Sequence, residues 1–131
     1  MAGSESVAHE LLEAAKDDFL AVRNMFDPVQ FPERVFGLHA QQAVEKCLKA
    51  WLNHLEETHP YTHDLSQLLE RLERRGIDIE PYWDFVELSA YAMQFRYEQP
   101  PTDEEGLNRE QLAADIAALV QRVEEQLYKK S

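Results

Sequence analysis

Four side chains on one stretch could do chemistry together: His39, Gln42, Lys46 and Lys49, which step by three, four and three residues. On a helix that spacing lines one side. An imidazole, an amide and two ammonium groups could there grip a phosphate or the edge of a nucleotide. The same strip would also serve as the solvated edge of a buried helix, or as a dimer contact carrying interhelical ion pairs. His63 and Asp64 precede another apolar pattern. Asp64 suits a helix start, where a carboxylate satisfies free amides and favours the positive end of the dipole. His63 is left open for binding. Arg96 falls in the last turn of a later helical pattern. Its planar fork could hold a phosphate bidentately or pair with a carboxylate such as Asp64 or Glu98.

Other chemistries lack their residues. His54, His59 and His63 straddle a helix end and a Pro-containing loop with no cysteine to complete a zinc set, so no metal is expected. His9-Glu10 lacks the second histidine of a zinc-protease helix, and neither a phosphate-cradling glycine loop nor a serine nucleophile elbow occurs. No cofactor is expected.

Apolar residues recurring at three- and four-residue steps, with Gly and Pro between the runs, predict five helices and no strand. The first starts near Ser4 or Ser6 as N-cap, carries Leu11, Ala15, Phe19, Val22 and Phe26 on one face, and stops at Asp27-Pro28. The second runs from Pro32 or Glu33 to about Leu55 and is the buried centre. Its two apolar rows are Phe36, Ala40, Ala43, Cys47, Ala50 and Val44, Leu48, Trp51, Leu55. These rows are adjacent and leave only a narrow polar strip of Gln42, Glu45, Lys46, Lys49 and Asn53.

A short third helix follows Thr62 or Asp64, turns Leu65, Leu68, Leu69 and Leu72 inward, and ends at Gly76 in the C′ position. The fourth begins near Pro81, with Trp83, Val86, Ala90, Met93 and Tyr97 as its apolar stripe, and stops at Pro100-Pro101. An acidic loop, Asp103 to Gly106, leads to the fifth helix. Asn108 and Gln111 stand there in capping-box spacing, Leu107 and Leu112 suit a hydrophobic staple, and Leu112, Ile116, Leu119, Val123 and Leu127 form the buried face. Short connections make helices antiparallel neighbours, so the expected fold is all-α, an up-and-down four-helix bundle with an additional short helix.

The strings Leu38-His39-Ala40-Gln41-Gln42-Ala43-Val44-Glu45-Lys46 with Leu48-Lys49-Ala50, then Thr62-His63-Asp64-Leu65, then Phe95-Arg96-Tyr97 resemble in order and spacing the HEPN family, over roughly Glu5 to Leu127. That resemblance implies a homodimeric helical module. Within the family it implies either a partner, a minimal nucleotidyltransferase of a toxin-antitoxin-like system, with possible nucleotide binding, or a metal-independent ribonuclease. The ribonuclease branch carries His four to six residues after an Arg on a late helix. Here Arg96 is followed by Tyr97-Glu98-Gln99-Pro100-Pro101-Thr102, without a histidine. Arg34 and His39 meet the spacing by letter but lie on the wrong helix. The partner-dependent module is therefore the leading expectation, with little activity of its own. A ribonuclease toxin and a non-catalytic assembly bundle are the alternatives, and His39, Gln42, Lys46, Lys49, His63, Asp64 and Arg96 are the candidate nucleotide- or partner-binding residues.

The bulk properties agree with one compact domain spanning residues 1-131. A chain of 131 residues can bury roughly two-thirds of its unfolded surface, enough for one core. Hydrophobic residues at 44% and charged residues at 29% lie in the globular range. Thirteen Lys and Arg against 25 Asp and Glu leave a formal charge of -12, which disfavours free nucleic acid as a partner. The single cysteine, Cys47, cannot form an intrachain disulfide and suits a reducing compartment. Acidic residues interrupt the first twenty positions, and no apolar run is long enough to span a bilayer, so a soluble cytoplasmic protein is expected.

Overall fold

The computed structural model describes residues 2-96 and 106-129, with side chains for 5-92 and 106-129. The described residues are all-helical and contain no strand: α1 (Ala2–Val22), α2 (Glu33–His54), α3 (Leu65–Arg74), a 3₁₀ helix (Glu80–Arg96) and α4 (Arg109–Tyr128). Against the expected boundaries, α2 agrees to within a residue at each end.

The core is built around α2, which touches every other element. Both of its predicted apolar rows are buried, with Phe36, Ala40, Ala43, Val44, Cys47, Leu48, Ala50 and Trp51 fully enclosed and Leu55 partly so. From α1 come Ala8, Leu12, Ala15 and Val22; from α3, Leu65, Leu68, Leu69 and Leu72; from α4, Ile116, Leu119, Val123 and Leu127. Gly37 sits within α2 because the Tyr91 ring lies against that bare backbone, where an added Cβ would run into it.

The helix ends follow side-chain chemistry. Asp64 is the N-cap of α3: its Oδ1 accepts from the Ser66 amide at 3.0 Å and the Ser66 hydroxyl at 2.7 Å. Gly76, with φ +86°, ends α3, and its successor Ile77 donates to the Leu72 carbonyl at 3.1 Å. Asn108 caps α4 through the Gln111 amide at 3.1 Å. The reciprocal half of the expected capping box does not form, because the Gln111 side chain donates forward to Asp115 at 3.0 Å. Leu107 and Leu112 both pack against the core as a staple would.

Two further expectations are corrected. The first helix begins at Ala2, so Ser4 and Ser6 lie inside it rather than capping it, and Phe26 lies beyond its end, 39% exposed. Ser6 is on the exposed side, where a hydroxyl is solvated and need not cap.

The fourth helix also differs. It is wound as a 3₁₀ helix, and its buried side is Phe85, Leu88 and Tyr91, with Tyr82 partly buried in line, while Trp83 is 46% exposed and Val86 and Ala90 are intermediate. Large apolar residues stand here at strict three-residue steps. In an α-helix each such step drifts by about 60° around the axis. With three residues per turn the same residues eclipse and can all face the core. Met93 and Phe95 carry no described side chain, and Tyr97, the Pro100-Pro101 stop and most of the acidic loop lie outside the described residues.

Polar ties close the bundle. Lys16 of α1 pairs with Glu124 of α4. Arg109, buried at the start of α4, donates to the Met25 carbonyl at 2.7 Å and lies over the Phe36 ring at 4.9 Å from its centroid. Glu33 accepts from the Tyr91 hydroxyl at 3.1 Å and the Leu107 amide at 2.7 Å, joining the 3₁₀ helix to the approach of α4.

Candidate functional site

The polar strip of α2 divides into two edges. His39 and Lys46, seven residues apart, share Asp18 of α1: His39 Nδ1 lies 3.0 Å from Oδ1, and Lys46 Nζ lies 2.6 Å from Oδ2. Gln42 and Lys49 are also seven apart but turned by about 60° from that pair. Their edge faces the α2–α3 loop.

On this second edge Gln41, Glu45, Lys49 and Asn53 form a row at four-residue steps, all buried. Gln41 Nε2 donates to Glu45 Oε1 at 2.7 Å, Lys49 Nζ to Glu45 Oε2 at 3.0 Å, and Asn53 Nδ2 to the Lys49 carbonyl at 2.9 Å. Gln42 Nε2 donates to Gln41 Oε1 at 2.6 Å. The loop closes on this row with two imidazoles: His63 Nδ1 sits 2.9 Å from Glu45 Oε1, and His59 Nδ1 sits 2.6 Å from Asn53 Nδ2. A carboxylate only accepts, so His63 Nδ1 carries the proton and Nε2 points away from Glu45.

The ionisation of these groups follows from their contacts. Burial pushes the Glu45 carboxyl up, but hydrogen bonds from His63, Gln41 and Lys49, with the Lys49 charge, outweigh it and hold the group below the ordinary 4.5. His59 is held below the ordinary 6.5 by burial and by the Lys49 charge, against a smaller pull from Glu45. Cys47, enclosed in the core, has its thiol pushed up to about 12 by burial.

Beside the row opens a groove of about 540 Å³ lined by Tyr61, Thr62, His63, Asp64, Ser89 and Ala90. Ser89 Oγ accepts from the Leu65 amide at 3.0 Å, fixing the 3₁₀ helix against the start of α3. The Tyr61 ring is fully exposed, its centroid 6.3 Å from that of His63. The groove thus presents two aromatic faces, hydroxyl groups and the free edge of a carboxylate-backed imidazole. Such a surface suits a planar or aromatic group better than a chain of phosphates.

Of the candidate residues, then, His63 and Asp64 line the groove, with Gln42 and Lys49 in the network behind it. His39 and Lys46 stand apart on the α1 edge. Arg96 ends the 3₁₀ helix, and its side chain lies outside the described residues. The sequence reading missed Gln41, Glu45, Asn53, His59, Tyr61 and Ser89 as parts of the site, although for Gln41, Glu45 and Asn53 a polar row at four-residue steps through an otherwise apolar helix is a legible signal. Asp18, 21 residues from His39, carried no such signal. Among the described residues no group of His, Cys, Asp or Glu side chains could hold a metal ion. No helix among them is long and apolar enough to cross a membrane.

The family model of the HEPN domain matches residues 8–129, nearly the whole chain. The chain belongs to the HEPN domain family. Comparison with curated proteins and with solved structures returns no match. Within this HEPN chain, the string that opens α3 supplies both the Asp64 cap and the groove imidazole. The string on α2 supplies the buried row that holds that imidazole in place.

Proposed function

We propose that this HEPN chain acts as a homodimeric, cytoplasmic module of a two-protein system. Its partner is a minimal nucleotidyltransferase, as the family resemblance implies, and the groove at the start of α3 meets that partner or the nucleotide it carries. The observation that carries this reading is the pairing of an exposed Tyr61 with a His63 fixed from behind by buried Glu45. Exposed aromatic anchors beside a pre-set polar group are the usual centre of a protein contact, and they offer a stacking face to a base. Lys46 and Lys49 support it from the other side: each is already neutralised, by Asp18 and by Glu45. Those cations do not supply a track for an RNA backbone. A toxin-antitoxin-like role is the biological setting that the family resemblance implies.

The test is co-purification with a nucleotidyltransferase encoded beside it, followed by titration calorimetry with and without ATP. Tyr61→Ala is expected to weaken partner or nucleotide binding by about tenfold or more, the range of an aromatic anchor. An unchanged affinity removes the groove from the reading. Cleavage of RNA by the purified dimer alone would replace the whole proposal with the ribonuclease alternative.

A further inference from the structure

We infer that His59 is a proton-sensitive latch that closes the α2–α3 loop over α2 when neutral and releases it when protonated, so that mild acid opens the groove. The geometry forces the tautomer. Asn53 Nδ2 is fixed as a donor by the Lys49 carbonyl at 2.9 Å, and the same nitrogen points at His59 Nδ1 at 2.6 Å. His59 Nδ1 must therefore accept and be unprotonated. A proton placed there turns donor against donor, and the amide cannot flip to relieve it without abandoning the helix carbonyl.

The charges around the latch have different origins. Lys49 of α2 opposes a proton on His59, and Glu45 of α2 favours one. Glu45 is already engaged by Lys49, Gln41 and His63. Arg71 of α3 and Arg75, which caps that helix, both reach the loop and are held on Glu57, at 3.2 and 3.5 Å. The other loop histidine responds differently: His63 lies on a carboxylate, so a second proton leaves its bond intact. The loop is thus tied down by Glu57 and His63 at its flanks and by a bond sensitive to protonation between them. That bond lies two residues from Tyr61, the outermost wall of the groove.

The consequence for binding rests on the groove being the docking site; the latch itself does not, and it is measured on the isolated chain. The experiment records amide exchange of residues 56–64, corrected for intrinsic rates, between roughly pH 7.5 and 5, with the His59 ring titration followed by NMR. As pH falls from the ordinary 6.5 of the released imidazole towards the lower value of the closed one, loop opening is expected to rise by up to about tenfold per pH unit and then to level off, while amides of α2 stay protected. The step should coincide with a His59 titration below 6.5. His59→Gln, which keeps an acceptor and cannot titrate, should hold the loop closed at both pH values, and His59→Ala should leave it open at both. Equal loop protection at both pH values in the native chain, a step that persists in His59→Gln, or a rise shared by the α2 core amides overturns the latch. A latch that opens while partner affinity ignores pH leaves the latch standing and removes the groove as the docking site.

Discussion

The two edges of α2 hold similar charges under different conditions. At the α1 edge, Asp18 takes both His39 and Lys46, but His39 is 35% and Lys46 28% exposed. At the loop edge, Glu45 and Lys49 are 5% and 10% exposed, and each oxygen of Glu45 has its donors. Water can replace the first cluster's bonds and screen its charges, whereas the second loses its compensation outright if one member is removed. The exposed cluster ties two helices together. The buried one sets a loop and orients an imidazole at a groove.

The largest effect expected from this contrast is on Glu45. Glu45→Ala strands the Lys49 ammonium and should cost about 3 kcal/mol in urea unfolding, the scale of a broken buried pair. Asp18→Ala should cost about 1 kcal/mol or less, with most of that loss suppressed by salt. Equal losses at the two sites would erase the distinction. Acid should reveal the same asymmetry. The Glu45 carboxyl is depressed in the folded state, so its contribution is complete above 4.5 and is lost as pH falls through the folded value. His59 is also depressed, so its contribution is complete above 6.5 and declines as the imidazole takes a proton. Thermal melting across pH should therefore show a shallow loss below 6.5 that His59→Gln abolishes, and a steeper one below 4.5 that Glu45→Ala flattens.

The smallest effect lies where α2 hands the chain to the loop. Glu56 occupies the left-handed region, φ +63°, at a helix end closed by Glu57 N to Leu52 O at 3.0 Å. The matching end of α3 uses Gly76. Glu56→Gly should raise stability by about 0.5 kcal/mol, since glycine enters that region without a Cβ penalty, offset by its greater freedom when unfolded. Cys47 supplies a control for all of these variants: with its thiol pushed up to about 12, it should resist thiol reagents at pH 8 until the core opens.

Much of this was legible in the chain. The two apolar rows of α2, the Asp64 cap, the Gly76 stop and the Asn108 cap each depend on residues within a turn or so of one another, so local pattern suffices. The 3₁₀ winding was not: Tyr82, Phe85, Leu88 and Tyr91 compete with the three-four stripe beginning at Trp83, and only packing against α2 and α3 selects between them. Nor was the division of the polar strip. Sequence spacing placed His39, Gln42, Lys46 and Lys49 on one side of a helix, and a 60° difference in direction is too fine to matter until a neighbour stands on each edge.

The sequence by itself determined an all-α HEPN chain with α2 at its centre and its polar strip as the place to look. Those properties follow from periodicity, caps and local strings, which are read along the chain. Tertiary structure decided which carboxylate each cation meets, Asp18 for Lys46 and Glu45 for Lys49, and which imidazole faces the groove. Contacts such as Asp18 with His39, or Glu45 with His63, join residues on different elements. No helical period encodes that distance, so the strip became two sites only when α1 and the α2–α3 loop closed against it.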